Sequence, residues 1–303
     1  MSRTGAEIAD SAGVTLAEAR RLWRALGFPD AGDDAAFTQA DLDALRVVGG
    51  LVRDDVVDLE TVVRLIRALG RTMSRLADWQ VSTLAELADP GRAGRDSVEA
   101  FEHLLVYSWR RHLEAATARL DAQGVHDQRH DDPEQPAATQ TVGFADLVGF
   151  TALSHGLDDV GLAGLVEGFE SRCADLVTAR GGRVVKTLGD SVLFVAADPL
   201  VGTEIALSVV EAIGHDPDLP DVRVGLATGA VVMRMGDVFG VPVNLASRLT
   251  AVARRNRVMA DTATAAALSG GAYESRALPA RPMRGFGAVQ PISVRRREGA
   301  AAP

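Results

Sequence analysis

The chain has 303 residues, 47% apolar and 24% charged, a make-up typical of folded protein and long enough for two domains. Acids outnumber bases 41 to 32, a formal charge of −9, which repels phosphate backbones and argues against non-specific nucleic-acid binding. Cys173 has no partner for an intrachain disulfide, MSRTGAEIAD lacks an apolar signal core, and no apolar run reaches membrane-span length, so a cytoplasmic protein with no membrane span is expected.

From about Thr4 to Gln123 the pattern is helical. Ala, Leu, Arg and Glu dominate, and apolar residues recur at three and four: Leu22 and Leu26; Val62, Leu65 and Leu69; Leu104, Leu105 and Trp109. Thr15 caps a predicted helix Leu16–Leu26, which Gly27 and Pro29 stop. Thr38 caps another beginning near Gln39. Ala6-Glu7-Ile8-Ala9-Asp10, then Gly13-Val14-Thr15 and a second helix, resembles the helix-turn-helix of MerR-type regulators. Residues 1–50 carry eight acids against five bases, the wrong sign for DNA, so no nucleic-acid partner is expected.

Asp121–Gln140, DAQGVHDQRHDDPEQPAATQ, has the composition of a linker. His126 and His130 stand there beside Asp127, Asp131, Asp132 and Glu134, and His112 lies on the preceding helix. Histidine titrates near neutrality. His112, His126 and His130 are therefore candidate pH-switch residues; a solvated, acid-rich tether is an equal reading of the same stretch.

After Thr141 short β-rich runs appear: TVGFADL, GRVVKTL, SVLFVA and VRVGLATGAVVM. Helical segments separate them around Leu162–Arg180 and Leu200–Ile213, which indicates an α/β or α+β domain. Three runs carry chemistry. In Phe144-Ala145-Asp146-Leu147-Val148-Gly149-Phe150-Thr151 an apolar strand ends in an acid before a glycine loop and a helix. Such an acid can hold a metal while loop amides hold phosphate, or can simply cap the next helix. The run Gly181 to Val195 reads as strand, turn, strand with Gly189-Asp190 near the turn. Packed beside the first strand, Asp190 would approach Asp146 and make a site for hard divalent cations; alone, Gly-Asp is also good turn chemistry. In the run Gly236 to Thr250, Pro242 suits the first turn of a helix that places Asn244 and Arg248 on one face. An amide beside a guanidinium can hold ribose and phosphate, or be a solvated face.

Taken together, in this order and spacing, the three runs resemble the catalytic core of the class III nucleotidyl cyclases over roughly Gln140 to Arg297. The resemblance implies an α+β fold: a ferredoxin-like cyclase catalytic domain (141–298) behind an all-α regulatory domain (1–120) and a linker (121–140). It implies that Asp146 and Asp190 bind two Mg2+ or Mn2+ ions per active site and that Lys186 and Asp237 recognise the base. Asn244 and Arg248 then act on ribose and transition state. Phe150 and Thr151, with the amides from Val148, cradle the triphosphate, and Arg284 in Arg284-Gly285-Phe286 touches its end. The expected reaction is ATP to 3′,5′-cyclic AMP and pyrophosphate, in a homodimer whose sites are shared between subunits. Adenine presents N1 as acceptor and N6 as donor. Lys186 offers only donors and ionised Asp237 only acceptors, so the pair matches ATP and disfavours GTP. The stretch Gly229 to Asp237 is shorter than in many relatives, leaving Arg234 as candidate for a second phosphate-binding arginine.

The phrase Arg20-Arg21-Leu22-Trp23-Arg24-Ala25-Leu26-Gly27 and the junction FADLVGFTALS are similar to those of actinobacterial cyclases with an autoinhibitory, pH-responsive helical N-terminal domain. Some of those bind fatty acid there, which extends the expectation to a fatty-acid or lipid ligand. The rival class is a catalytically dead nucleotide-binding module that signals by dimerising. A diguanylate cyclase is disfavoured because no GGDEF-like segment is present.

Overall fold

Helices α1 (Gly5–Ala12), α2 (Leu16–Leu26), α3 (Gln39–Arg53), α4 (Leu59–Ala85) and α5 (Pro90–Ala122) make up the described part of the first half of the chain. The computed structural model describes residues 3–28, 37–87, 90–122, 138–234, 236–268 and 272–297. Two compact units, Met1–Ala118 and Arg119–Pro303, divide the chain.

Local chemistry places the first three helices. Thr4 with Glu7, Thr15 with Glu18 and Thr38 with Asp41 each close a reciprocal capping box, worth about 1 kcal/mol apiece. The predicted bounds of α2 hold, with Gly27 as its left-handed cap. Ile8, Ala19, Leu22, Leu42, Leu45, Val62 and Val63 form the core of this unit. The helical spacing also holds further along, but its apolar faces are open: Leu65 and Leu69 on α4, and Leu104, Leu105 and Trp109 on α5, are exposed. Periodicity reports an apolar stripe, not what covers it.

The second unit alternates strands and helices: β1 (Ala138–Leu147), α6 (Phe150–Ser154), α7 (Asp159–Ala179), β2 (Arg183–Thr187), β3 (Ser191–Ala196), α8 (Pro199–Gly214), β4 (Val222–Arg234), β5 (Asp237–Phe239), α9 (Val241–Val252), β6 (Arg257–Ala260), α10 (Thr262–Ala267), β7 (Tyr273–Ala277), β8 (Arg281–Met283), β9 (Gly287–Val289) and β10 (Ile292–Arg296). The main sheet runs β2-β3-β1-β4-β6-β10-β7, with β5 paired to β4 and β8-β9 a separate hairpin. Only β4 and β6 are parallel neighbours; the other described pairings are antiparallel. β1 begins at Ala138, not at Thr141, because the long β4 offers partners that far: Ala138 faces Val231 and Gln140 faces Gly229.

Strand alternation assigns the two faces of the sheet. Ala145, Leu147, Val192, Phe194, Val222, Val224 and Leu226 pack against Phe169 and Cys173 of α7 and Ile205 and Val209 of α8. Burial pushes the Cys173 thiol up to about 12, so it is an inert core residue. Val142, Leu193, Val195, Ala227 and Val231 point the other way, onto Ala246 and Leu249 of α9. The helix approaches β4 closely: a Cβ on Gly225 would lie 2.3 Å from both the Ala246 carbonyl oxygen and the Thr250 nitrogen. Only glycine at 225 permits this crossing.

Candidate active site

The two aspartates meet where the register brings three strands together. Asp146 is opposite Ser191 of β3 on one side and Arg223 of β4 on the other. By the alternation just described, Asp146, Ser191 and Arg223 share the α9 face. Asp190 ends the β2–β3 turn, which Gly189 makes with φ +72°. The Leu147 N–H donates to the Asp190 carbonyl at 2.9 Å, pinning the turn to the end of β1. Gly-Asp is therefore good turn chemistry and also the device that delivers an acid to Asp146.

Both oxygens of Asp146 are held. Ser191 Oγ donates to Oδ1 at 2.6 Å. Arg223 Nε donates to Oδ2 at 2.8 Å, and Arg223 Nη2 lies 2.6 Å from the same oxygen. Burial and the charge of Asp146 push the Asp190 carboxyl above its ordinary value, and Arg223 only partly offsets them. This is a hard-oxygen pair short of positive charge, and it fits Mg2+ or Mn2+. Among the described residues no group of three or more His, Cys, Asp and Glu side chains converges. Water, backbone carbonyls or phosphate oxygens would have to complete a coordination shell around the two aspartates.

Lys186, near the end of β2, and Asp237, at the start of β5, also meet. Lys186 Nζ is 2.6 Å from Asp237 Oδ2, and both side chains are partly exposed. Burial tends to raise the Asp237 pKa, but the Lys186 hydrogen bond, the Val238 N–H and the Lys186 charge outweigh it and hold the carboxyl below the usual range. The pair thus offers the remaining ammonium donors of Lys186 beside a carboxylate acceptor.

Pro242 lies in the first turn of α9, and Asn244 and Arg248 stand on its exposed face. Among the described residues, neither has a hydrogen bond or ion pair with Asp146, Asp190, Lys186 or Asp237. The structure brings Asp146 to Asp190 and Lys186 to Asp237, but does not join α9 to either pair within the chain. Phe150 and Thr151 open α6 shortly after β1, and in the intervening loop the Val148 N–H is anchored to the Asp221 carbonyl at 2.7 Å. Arg284 is exposed in the turn between β8 and β9, and Arg234 is exposed at the end of β4. His112 is exposed on α5; His126 and His130 lie outside the described residues. Sequence reading missed Ser191 and Arg223. Each is a strand residue with no motif of its own, and only cross-strand register could have identified it.

In the first unit, Trp23 stacks on Phe37 with centroids 4.3 Å apart. A mainly apolar recess of about 150 Å3 lies among Leu22, Trp23, Leu26, Phe28, Leu45 and Ile66. That is below the roughly 300 Å3 of typical ligand pockets, so the recess gives the fatty-acid expectation no support. Among the described residues, no helix is long and apolar enough to cross a membrane.

Comparison with known proteins adds three kinds of likeness. The family model described as adenylate and guanylate cyclase catalytic domain matches residues 133–293. An adenylate cyclase of Streptomyces coelicolor is 41% identical over 97% of this chain and 86% of its own length. An adenylate cyclase of Streptomyces griseus is 43% identical over 89% of this chain and 70% of its own. Among solved structures, the catalytic core of a rhodopsin-guanylyl cyclase with converted specificity, in complex with ATPαS, aligns with a TM-score of 0.51 at 22% identity. It covers 54% of this chain and 98% of that one, a likeness of fold.

Proposed function

The chain belongs to the adenylate and guanylate cyclase catalytic domain family, and from that premise we infer that it is an adenylate cyclase, converting ATP to 3′,5′-cyclic AMP and pyrophosphate. The observation that carries the choice of ATP is the Lys186–Asp237 pair, with its 2.6 Å contact. In the base site the lysine donates to adenine N1 and the ionised aspartate accepts from the N6 amino group. Guanine would turn a donor toward the lysine. Relatives at 41% and 43% identity that carry the name adenylate cyclase support the same choice.

Asp146 and Asp190 would hold two Mg2+ or Mn2+ ions. Bound there, such ions lower the pKa of the ribose 3′-OH and neutralise the leaving pyrophosphate. The chain's own groups do the rest. Asn244 orients the ribose so that its 3′-oxygen is in line with the α-phosphorus. Arg248 meets the charge that grows on the α-phosphoryl oxygens. Phe150, Thr151 and the nearby amides hold the triphosphate, with Arg284 and Arg234 at its end.

The active unit in this reading is a homodimer. Asn244 and Arg248 are exposed on α9 and have no partner at the acid pair of their own chain, which supports their completing the site of a second copy. Regulation by pH through the N-terminal unit rests on the histidine and acid content of 112–134. The test is direct: purified full-length protein with Mn2+ and ATP or GTP, followed by measurement of the cyclic nucleotide. Cyclic AMP from ATP, and little cyclic GMP, is expected. A folded dimer that makes neither would be the dead nucleotide-binding module instead.

A further inference from the structure

Arg223 has no place in the reading above, yet it is the strongest partner of a residue at its centre. Its guanidinium reaches Asp146 Oδ2 with two nitrogens, at 2.8 Å and 2.6 Å. Its third nitrogen, Nη1, lies 3.4 Å from the Ala251 carbonyl at the end of α9. The side chains are 31% and 17% exposed, so the contact is only partly screened by water. The two donors from Arg223 occupy Oδ2, and Ser191 takes one position on Oδ1. A carboxylate has about four acceptor positions. Among the described residues, one remains free, on Oδ1.

We propose that Arg223 is the resident counter-cation of the metal-free site: it neutralises Asp146 until a divalent ion arrives, and yields Oδ2 to that ion. The inference rests on the metal-binding reading of Asp146 given above. Two acids brought together by strand register repel one another in an empty site. A permanent positive charge on one of them lets the sheet close without metal. The same charge opposes an incoming cation, so it sets how tightly the metal binds before nucleotide does. A purely orienting arginine would act in the opposite sense: its removal would loosen the carboxylate and weaken metal binding.

The sign of one measurement separates these roles. Mn2+ alone is titrated into nucleotide-free, full-length protein by calorimetry and electron paramagnetic resonance, for wild type, Arg223→Gln, Arg223→Lys and Asp146→Asn. Removing a unit charge within several ångströms of a divalent ion should tighten its binding about five- to tenfold after screening. Arg223→Gln should show that gain, and Arg223→Lys, which keeps the charge, should stay within about twofold of wild type. Unchanged or weaker binding by a folded Arg223→Gln overturns the proposal. If Arg223→Gln does not fold, the wild-type protein decides: its Arg223 Nε–H resonance should be protected from exchange without metal and lose protection with saturating Mg2+. Protection that persists overturns the proposal. Equal Mn2+ binding by wild type and Asp146→Asn would remove the metal assignment itself, a failure distinct from a wrong sign at Arg223.

Discussion

Lys186 and Asp237, 51 residues apart in sequence, join at 2.6 Å across the β2 and β5 strands of a single chain. In the proposed reading, the pair that recognises the base is thus complete within one chain. It is preformed, with the Asp237 carboxyl held below the usual range by its partner, so adenine bound as proposed would meet a donor and an acceptor already in place.

Lys186→Glu reverses the donor that faces adenine N1 and places two acids together. Turnover of ATP as kcat/KM should fall about 10²-fold or more, since a buried mismatch of this kind costs roughly 1–3 kcal/mol on each side. Steady-state kinetics with ATP and GTP check this, and unchanged ATP kinetics would remove Lys186 from the base site. The Asp237 pKa is depressed on folding. Its contribution to stability is present above the ordinary aspartate value and is lost only as pH falls through the lower folded value. Asp237 therefore should not limit activity on the mildly acidic side.

Asp190 has the opposite sign. Its folded pKa is raised by burial and by Asp146, so the folded state holds its proton more tightly than the unfolded chain. Stability of the metal-free protein is then lost as pH rises from the ordinary aspartate value through the raised one. Asp190→Asn removes that cost. Its metal-free Tm at pH 7 should exceed wild type by about 1–3 °C, and Mg2+ should no longer raise it. A metal-free variant that melts below wild type at pH 7 would contradict this account of the acid pair.

Neither Asp146→Ala nor Arg248→Ala should turn over ATP appreciably alone; loss of a charge-stabilising arginine costs on the order of 10²–10³ in kcat. Mixed, they should regain activity, because one of the two sites in a heterodimer keeps both wild-type halves. Inactive mixtures in which heterodimers are demonstrated by mass would defeat the shared-site reading.

Gly225→Ala would push a methyl into the backbone of α9, 2.3 Å from Ala246 O and Thr250 N. Over-packing of this kind costs about 2–3 kcal/mol. The expected outcome is a Tm lower by roughly 5–10 °C with reduced kcat, as Asn244 and Arg248 shift with the helix. Calorimetry and cyclic AMP assays would report both.

Activity from acidic to alkaline pH is expected to differ between the full chain and one beginning at Ala138. Under the proposed pH regulation the full chain should gain activity on acidification. Superimposable profiles would dismiss a pH role for the helical half and the linker.

Much of the molecule was legible without coordinates because its signals are local. Thr15, Glu18 and Gly27 bound α2 through hydrogen bonds within a few residues, and the β-rich apolar run SVLFVA marks β3, a strand buried on both faces. Spacing and residue type likewise drew out Asp146, Asp190, Asn244 and Arg248, and the family resemblance added Lys186 and Asp237, before any fold was in view. Pairing across the sheet is a different kind of information. Which residue of β4 lies opposite Asp146 depends on a register set by the whole sheet. A slip of one residue would turn Arg223 to the other face. The exposed stripes of α4 and α5 likewise show periodicity without naming a partner. Sequence determined the chemistry available to this protein, since side-chain type and local spacing are written in it. Tertiary structure alone decided which charges meet, because the Asp146–Ser191–Arg223 cluster is a product of long-range strand register.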